Sequence, residues 1–291
     1  MITYATSNFC VIIIQKGCMM LKKTLLLLIV FLFTSCVQVP KGSILVSTTQ
    51  TKAPRIGYLV NVRSYPTHTH YGTTPLTNFT KTYHYNWRIP YYIETKLEQD
   101  LKLINTTPVN LRNKGIRPSQ VNGMLKKKGN IWIISSGFGD TYRNLANRLD
   151  LTAIIIINET AKIGLNECGI LGCKELKANG YGLLSKSFIN SNKFYSATAL
   201  FAHLYQLKPK PVSLDAYLAD INHDREMTLV AISKGSKVEP NKINFVYPKN
   251  FNQWTKEEFK PFRAPLLKYI DGMSKKITQT ISENILSHQK R

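Results

Sequence analysis

Apolar and polar positions follow two rhythms along this 291-residue chain, and together they assign most of its elements. Ile56 to Val62 is a mostly apolar run and reads as a first buried strand. Ala153 to Ile157 is apolar at every position, which suits a strand covered on both faces. Ile93, Leu97, Leu101 and Ile104 recur at helical spacing, with Glu94, Lys96, Glu98 and Lys102 between them and Pro90 placed for the first turn. Val109–Leu111, Ile131–Ile134 and Met227–Ile232 are shorter strand candidates. Pro118 predicts a helix through Val121, Met124 and Leu125, with Lys126, Lys127 and Lys128 at its carboxyl end, where cations suit the dipole. Asp140 predicts the cap of a short helix through Leu145, Ala146 and Leu149.

Tyr181–Ile189 and Phe194–Leu207 are strand-prone runs joined by Asn190-Ser191-Asn192-Lys193, a hairpin signature. Neither face of the second run is cleanly polar, so it is expected to pack on both sides. Ser64 to Trp87, rich in Thr, Tyr and His, reads as a long loop or hairpin excursion. After Pro248 a terminal helix is marked by Phe259, Phe262, Leu266, Ile270, Met273, Ile277, Ile281 and Ile285. Pro261 and Pro265 should delay or kink its start. The order predicts an α/β (α+β) fold: a mixed sheet with flanking helices, a late antiparallel hairpin and a long C-terminal helix.

Charge changes the picture next. Lys and Arg number 39 against 17 Asp and Glu, a formal charge of +22. Three of those lysines and no acid fall before Cys36, so the remainder carries +19. Such a charge favours anionic surfaces, such as phospholipid head groups, lipopolysaccharide or cell-wall carboxylates. The cations are scattered, without a basic strip interleaved with aromatics, and nucleic acid is not expected as a partner.

Residues 20–35 read as a secretory signal. Lys22 and Lys23 precede ten residues, Thr24–Phe33, of which nine are strongly apolar. At about 1.5 Å per residue, that segment spans roughly half of a hydrocarbon core. Phe33-Thr34-Ser35-Cys36 resembles the bacterial lipobox, with Phe33 in place of the usual Leu. The resemblance implies diacylglycerol on the Cys36 thiol, cleavage before it and N-acylation. Val37 after the cysteine implies sorting to the periplasmic face of the outer membrane. Residues 1–19 match no targeting arrangement and read as a mis-annotated extension. Residues 36–54 read as a flexible tether, and residues 55–291 as a single periplasmic domain.

Cys168 and Cys173, spaced C-x₄-C around Gly169 and Gly172, are expected to form a disulfide in an oxidising compartment. The layout between Arg55 and Glu283 resembles the N-terminal domain of the periplasmic protein TolB and related outer-membrane lipoproteins of assembly machines. His68-Thr69-His70-Tyr71-Gly72-Thr73-Thr74, through Asn78-Phe79, is similar to a His-rich segment of proteobacterial lipoproteins. His68, His70, Tyr83, His84 and Tyr85 form the candidate binding surface, with Trp87 either part of it or its anchor to the core. His68, His70 and His84 also raise the alternative of a metal-binding protein or hydrolase.

Ser213, Asp215, His223 and Asp224 supply the parts of a hydrolase triad without a nucleophile elbow. Ser136-Gly137-Phe138-Gly139-Asp140 reads as a turn. No catalytic residue, metal ligand or cofactor is assigned. The expectation is a non-enzymatic, membrane-anchored lipoprotein that binds an envelope protein or anionic envelope polymer. A third possibility is cell-wall or lipopolysaccharide binding through the basic surface.

Overall fold

A computed structural model describes residues 52–170, 172–188, 191–232 and 253–287. The expected extension, signal, lipid site at Cys36 and most of the tether lie outside these residues. In chain order the strands begin with β1 (Arg55–Asn61), β2 (Thr67–Tyr71) and β3 (Phe79–Thr82). Helix α1 (Ile89–Leu103) leads to β4 (Thr107–Asn110), β5 (Leu125–Lys128) and β6 (Ile131–Ile134). Helix α2 (Gly139–Arg143) precedes β7 (Ala153–Glu159), β8 (Ala161–Gly169), β9 (Gly172–Phe188), β10 (Ser191–Gln206) and β11 (Val212–Ser213). Then follow α3 (Ala219–Asn222), α4 (Arg225–Thr228), β12 (Leu229–Ile232) and α5 (Lys256–Ile281).

The main sheet runs β3-β2-β9-β10-β7-β1-β4, with β11 and β12 added to β10 and β8 to β9. β1 is parallel to both β4 and β7, and β2 is parallel to β9. β9 and β10 form the antiparallel hairpin expected from their sequence. The fold is thus a mixed α/β sheet with flanking helices, a late hairpin and a long C-terminal helix.

The isoleucine run of β7 shows why this arrangement is stable. Ala153, Ile155 and Ile157 face the layer built by α1 and α5. Ile154 and Ile156 face the opposite layer, with Leu59, Leu145, Ala146 and Leu151. A strand between two helical layers must be apolar at both parities. In α1, Ile89, Ile93, Leu97 and Leu101 are buried, while Lys96–Asp100 and Glu98–Lys102 pair at 2.9 and 2.6 Å.

Several expectations are corrected. The Pro118 helix is one turn of 3-10 helix, Pro118–Gln120, closed by Gly123 at φ +74°. The lysines after it stand exposed on β5, paired with β6 across a turn that holds Gly129 at φ +59°. Two glycines at positive φ overrule a short helical periodicity. Pro261 and Pro265 do not delay the last helix. It starts at Lys256, where Thr255 and Glu258 form a capping box, and both prolines lie inside. Each proline costs about 3 kcal/mol, whereas each fully buried large apolar side chain contributes about 1.5–3 kcal/mol. Phe259, Phe262, Leu266, Ile270, Met273, Ile277 and Ile281 are all buried.

Asp140 lies within the first turn of α2, and Phe138 takes the cap position. Strand β8 and the first half of β9 were not expected. Along β8, Ala161, Ile163 and Leu165 alternate with Lys162, Gly164 and Asn166, but Ile163 is exposed while Gly164 is buried against Leu229.

Among the described residues no helix is long and apolar enough to cross a membrane. Cys173 is disulfide-bonded. The side chain of Cys168, its expected partner, lies outside the description.

Candidate ligand cleft at the strand carboxyl ends

From β1 the chain crosses through α1 on one face of the sheet to reach β4. From β4 it returns through α2 on the other face to reach β7, which flanks β1 on its opposite side. The connections diverge between β1 and β7, and in open α/β sheets such a point leaves a crevice at the carboxyl ends of the strands. Here it holds a shallow depression of about 490 Å³, lined by Asn61, Asn122, Asn158, Glu159, Phe201 and His203, with Thr160 beside them.

The apolar runs of β1 and β7 both end in asparagine, at register partners Asn61 and Asn158. Asn61 Nδ2 donates to Asn158 Oδ1 at 2.9 Å, and Asn158 Nδ2 donates to Asn122 Oδ1 at 2.9 Å. Asn122 Nδ2 donates back to Asn158 Oδ1 at 3.3 Å. Each amide nitrogen carries two hydrogens. One hydrogen on each therefore makes no bond among the described residues. The three amides hold one another in place and still offer donors to the depression.

β10 supplies Phe201 and His203, opposite Asn158 and Ile156 of β7. Asp215 Oδ2 lies 2.7 Å from His203 Nδ1, and Leu204 N donates to Asp215 Oδ1 at 2.9 Å. A carboxylate at Nδ1 fixes the neutral ring with its lone pair on Nε2. Nε2 has no hydrogen-bond partner among the described residues. Glu159 accepts from Arg63 N at 2.9 Å and pairs with its guanidinium. Behind that carboxylate Gly180 sits at φ +66°, where a Cβ would come within 2.7 Å of Glu159 Oε2. Chemically, the cleft combines amide donors, a carboxylate, an oriented imidazole and an aromatic ring.

The residues singled out from sequence go elsewhere. His68 is 2 % exposed and Tyr83 4 %, so the expected surface is in part interior. His68 Nδ1 hydrogen-bonds the Tyr83 hydroxyl and Nε2 meets Ser185 Oγ at 2.6 Å. The same Oγ lies 2.7 Å from His70 Nδ1, and Ser187 Oγ lies 3.1 Å from His70 Nε2. Burial, then the neighbouring His70 and Lys81, push His68 down to about 3. Burial also lowers His70.

Two neutral imidazoles and three hydroxyls can hydrogen-bond head to tail along Tyr83–His68–Ser185–His70–Ser187 in either direction, each imidazole donating once and accepting once. The chain joins β2 to β9. His84 stands exposed and apart from it, and Tyr85 stacks on Phe259 at 5.9 Å. Among the described residues no group of three or more His, Cys, Asp or Glu is placed to hold a metal. Trp87, buried against Phe259 and Tyr181, anchors the segment to the core.

The hydrolase parts separate as well. Asp215 serves His203, Asp224 caps α4 by accepting from Met227 N at 2.8 Å, and His223 lines a different depression with Lys162. The residues missed from sequence are Asn61, Asn122, Asn158 and His203. A usable signal was present for two of them: an asparagine ending each apolar parallel strand. Comparison with known protein families, with curated proteins and with solved structures found no match to this chain. The likeness to TolB gains no support from them.

Proposed function

We propose that this chain is a non-enzymatic lipoprotein, anchored through acylated Cys36 at the periplasmic face of the outer membrane, whose folded domain binds a small polar envelope ligand in the β1/β7 cleft. The anchoring half rests on the lysine pair, the ten-residue apolar segment and the Thr34-Ser35-Cys36 sequence. Two or three acyl chains hold a protein stably where one gives marginal binding. Cys36 precedes Lys52 by 16 residues, at most about 55 Å of chain, which keeps the domain near the bilayer.

The binding half rests on one observation, the mutually bonded Asn61–Asn158–Asn122 amides with unused donors at a topological switch point. Amides both donate and accept, so they complement a ligand bearing hydroxyl or amide groups, such as a neutral saccharide or a short peptide. A thermal-shift screen of neutral saccharides and short peptides tests this half. A true ligand raises the Tm of the natural chain and leaves Asn122→Ala unshifted. Equal shifts in both chains would remove the cleft from the proposal. Labelled palmitate tests the other half, with incorporation expected in the natural chain and none in Cys36→Ser.

One observation favours a second reading. Asp215 orients His203 so that Nε2 has no partner among the described residues, the arrangement of a general base that takes a proton from bound water. Release of a chromogenic ester product, lost in both His203→Gln and Asp215→Asn, would support hydrolysis. No release above buffer would reject it.

A further inference from the structure

A second concavity lies where the chain enters α1. Tyr85, Trp87, Arg88 and Tyr91 face Lys256 and Arg263 of α5 around about 420 Å³. A neighbouring depression of about 260 Å³ along α5 shares Lys256 and Arg263 and adds Lys260. Four cations therefore border two neighbouring depressions that share Lys256 and Arg263. The carboxylate among their lining residues, Glu257, lies 3.9 Å from Lys260.

Nearby acids are engaged elsewhere. Asp271 accepts from the Tyr92 hydroxyl at 2.7 Å, and Glu258 accepts from Thr255 N at 2.6 Å. No acid occupies the first turn of α1. Arg263 spends its Nε on the Trp87 carbonyl at 3.0 Å, which fixes the guanidinium while leaving its terminal N–H groups for an oxyanion. Trp87 is 1 % exposed, and its indole N–H has no hydrogen-bond partner among the described residues.

The walls are aromatic as well as cationic. Tyr91 is 68 % exposed and presents an apolar ring with a polar edge. That is the surface against which the C–H face of a sugar packs while its substituents stay hydrated. A bare phosphate would use the cations and leave the ring idle. A flat membrane would meet the exposed cations but not the recessed Arg263. The combination fits a sugar ring that carries phosphate.

We propose that the groove between the start of α1 and α5 binds a phosphorylated saccharide, with phosphate on Arg88, Lys256 and Arg263 and the sugar ring against Tyr91. The site is independent of the β1/β7 cleft and shares no residue with it.

Isothermal titration of the full chain with a glucosamine disaccharide bisphosphate tests this. Parallel arms use the same disaccharide without phosphate, inorganic pyrophosphate, and phosphatidylglycerol vesicles. The bisphosphate should bind at least tenfold more tightly than the unphosphorylated sugar and than pyrophosphate. Tyr91→Ala should weaken it about tenfold, and Arg88→Gln with Lys256→Gln should abolish it. All three positions are exposed, so an unchanged melting curve separates lost binding from lost folding. Pyrophosphate binding as tightly as the sugar would reduce the groove to an anion site and overturn the proposal. So would vesicle binding with the same variant dependence, or no binding in any arm.

Discussion

His68 gives the sharpest quantitative test of the interior. Burial holds its imidazole neutral down to about 3, against 6.5 for a free histidine. Between those values the unfolded chain binds a proton at this site and the folded chain does not. Stability therefore rises with pH across that window, by about 1.4 kcal/mol per unit. It is complete above pH 6.5 and falls steadily as pH drops toward the folded value. Moving from pH 6.5 to 4.5 should remove about 2 kcal/mol through His68, and lowered His70 adds in the same direction. A domain typically has only about 5–15 kcal/mol in total.

The assay is urea unfolding at pH 7, 5.5 and 4.5, comparing the natural chain with His68→Gln. Glutamine keeps a donor and an acceptor for Tyr83 and Ser185 but does not titrate. The variant should be less stable at pH 7 and lose less on acidification, so the two unfolding midpoints converge. Identical slopes in both chains would refute the reasoning, because the titrating group would then lie elsewhere.

Gly182, at φ +146°, packs so closely on β2 that a Cβ would fall 2.0 Å from Thr67 O. Gly182→Ala should cost about 3 kcal/mol or more, read as a drop in urea midpoint, because the parallel β2–β9 seam cannot open without losing the His68–Ser185 contacts. Lys162 donates to the Tyr269 hydroxyl at 2.9 Å, and burial brings its amine down to about 8 despite the opposing charge of Asp224. At pH 8 about half of it is neutral, against under about 1 % of an ordinary lysine. Brief acetic anhydride treatment followed by peptide mass mapping should therefore show Lys162 modified ahead of lysines of equal exposure.

Legibility followed the reach of each signal. β7 and α1 were readable because burial on two faces, or on one helical stripe, writes itself into consecutive residues. His68 and His70, two positions apart on β2, both reach one serine. Their meeting point, Ser185, comes from β9 and lies more than a hundred residues away. β5 was hidden because Val121, Met124 and Leu125 fit a helix until Gly123 and Gly129 are given their backbone angles. β8 was hidden because its apolar parity, Ala161, Ile163 and Leu165, lies on the more exposed side, so pairing with β9 rather than burial defines it.

The cleft was the least legible feature. Asn61, Asn122, Asn158 and His203 are scattered in sequence, and only the order β4-β1-β7-β10 brings them together. His203 looked like one more position of a two-sided strand, and Asp215 like a partner for His223.

The most direct measurement is photocrosslinking inside living cells from a photoreactive amino acid at position 160, at the edge of the cleft and outside its amide network, and at position 131, exposed on β6, followed by intact-mass analysis. The expected result is a small adduct of defined mass at position 160, none at 131, and loss of the adduct when Cys36→Ser removes the anchor. Adducts of equal yield at both positions, or none at 160 in the anchored protein, would contradict a cleft that works at the membrane.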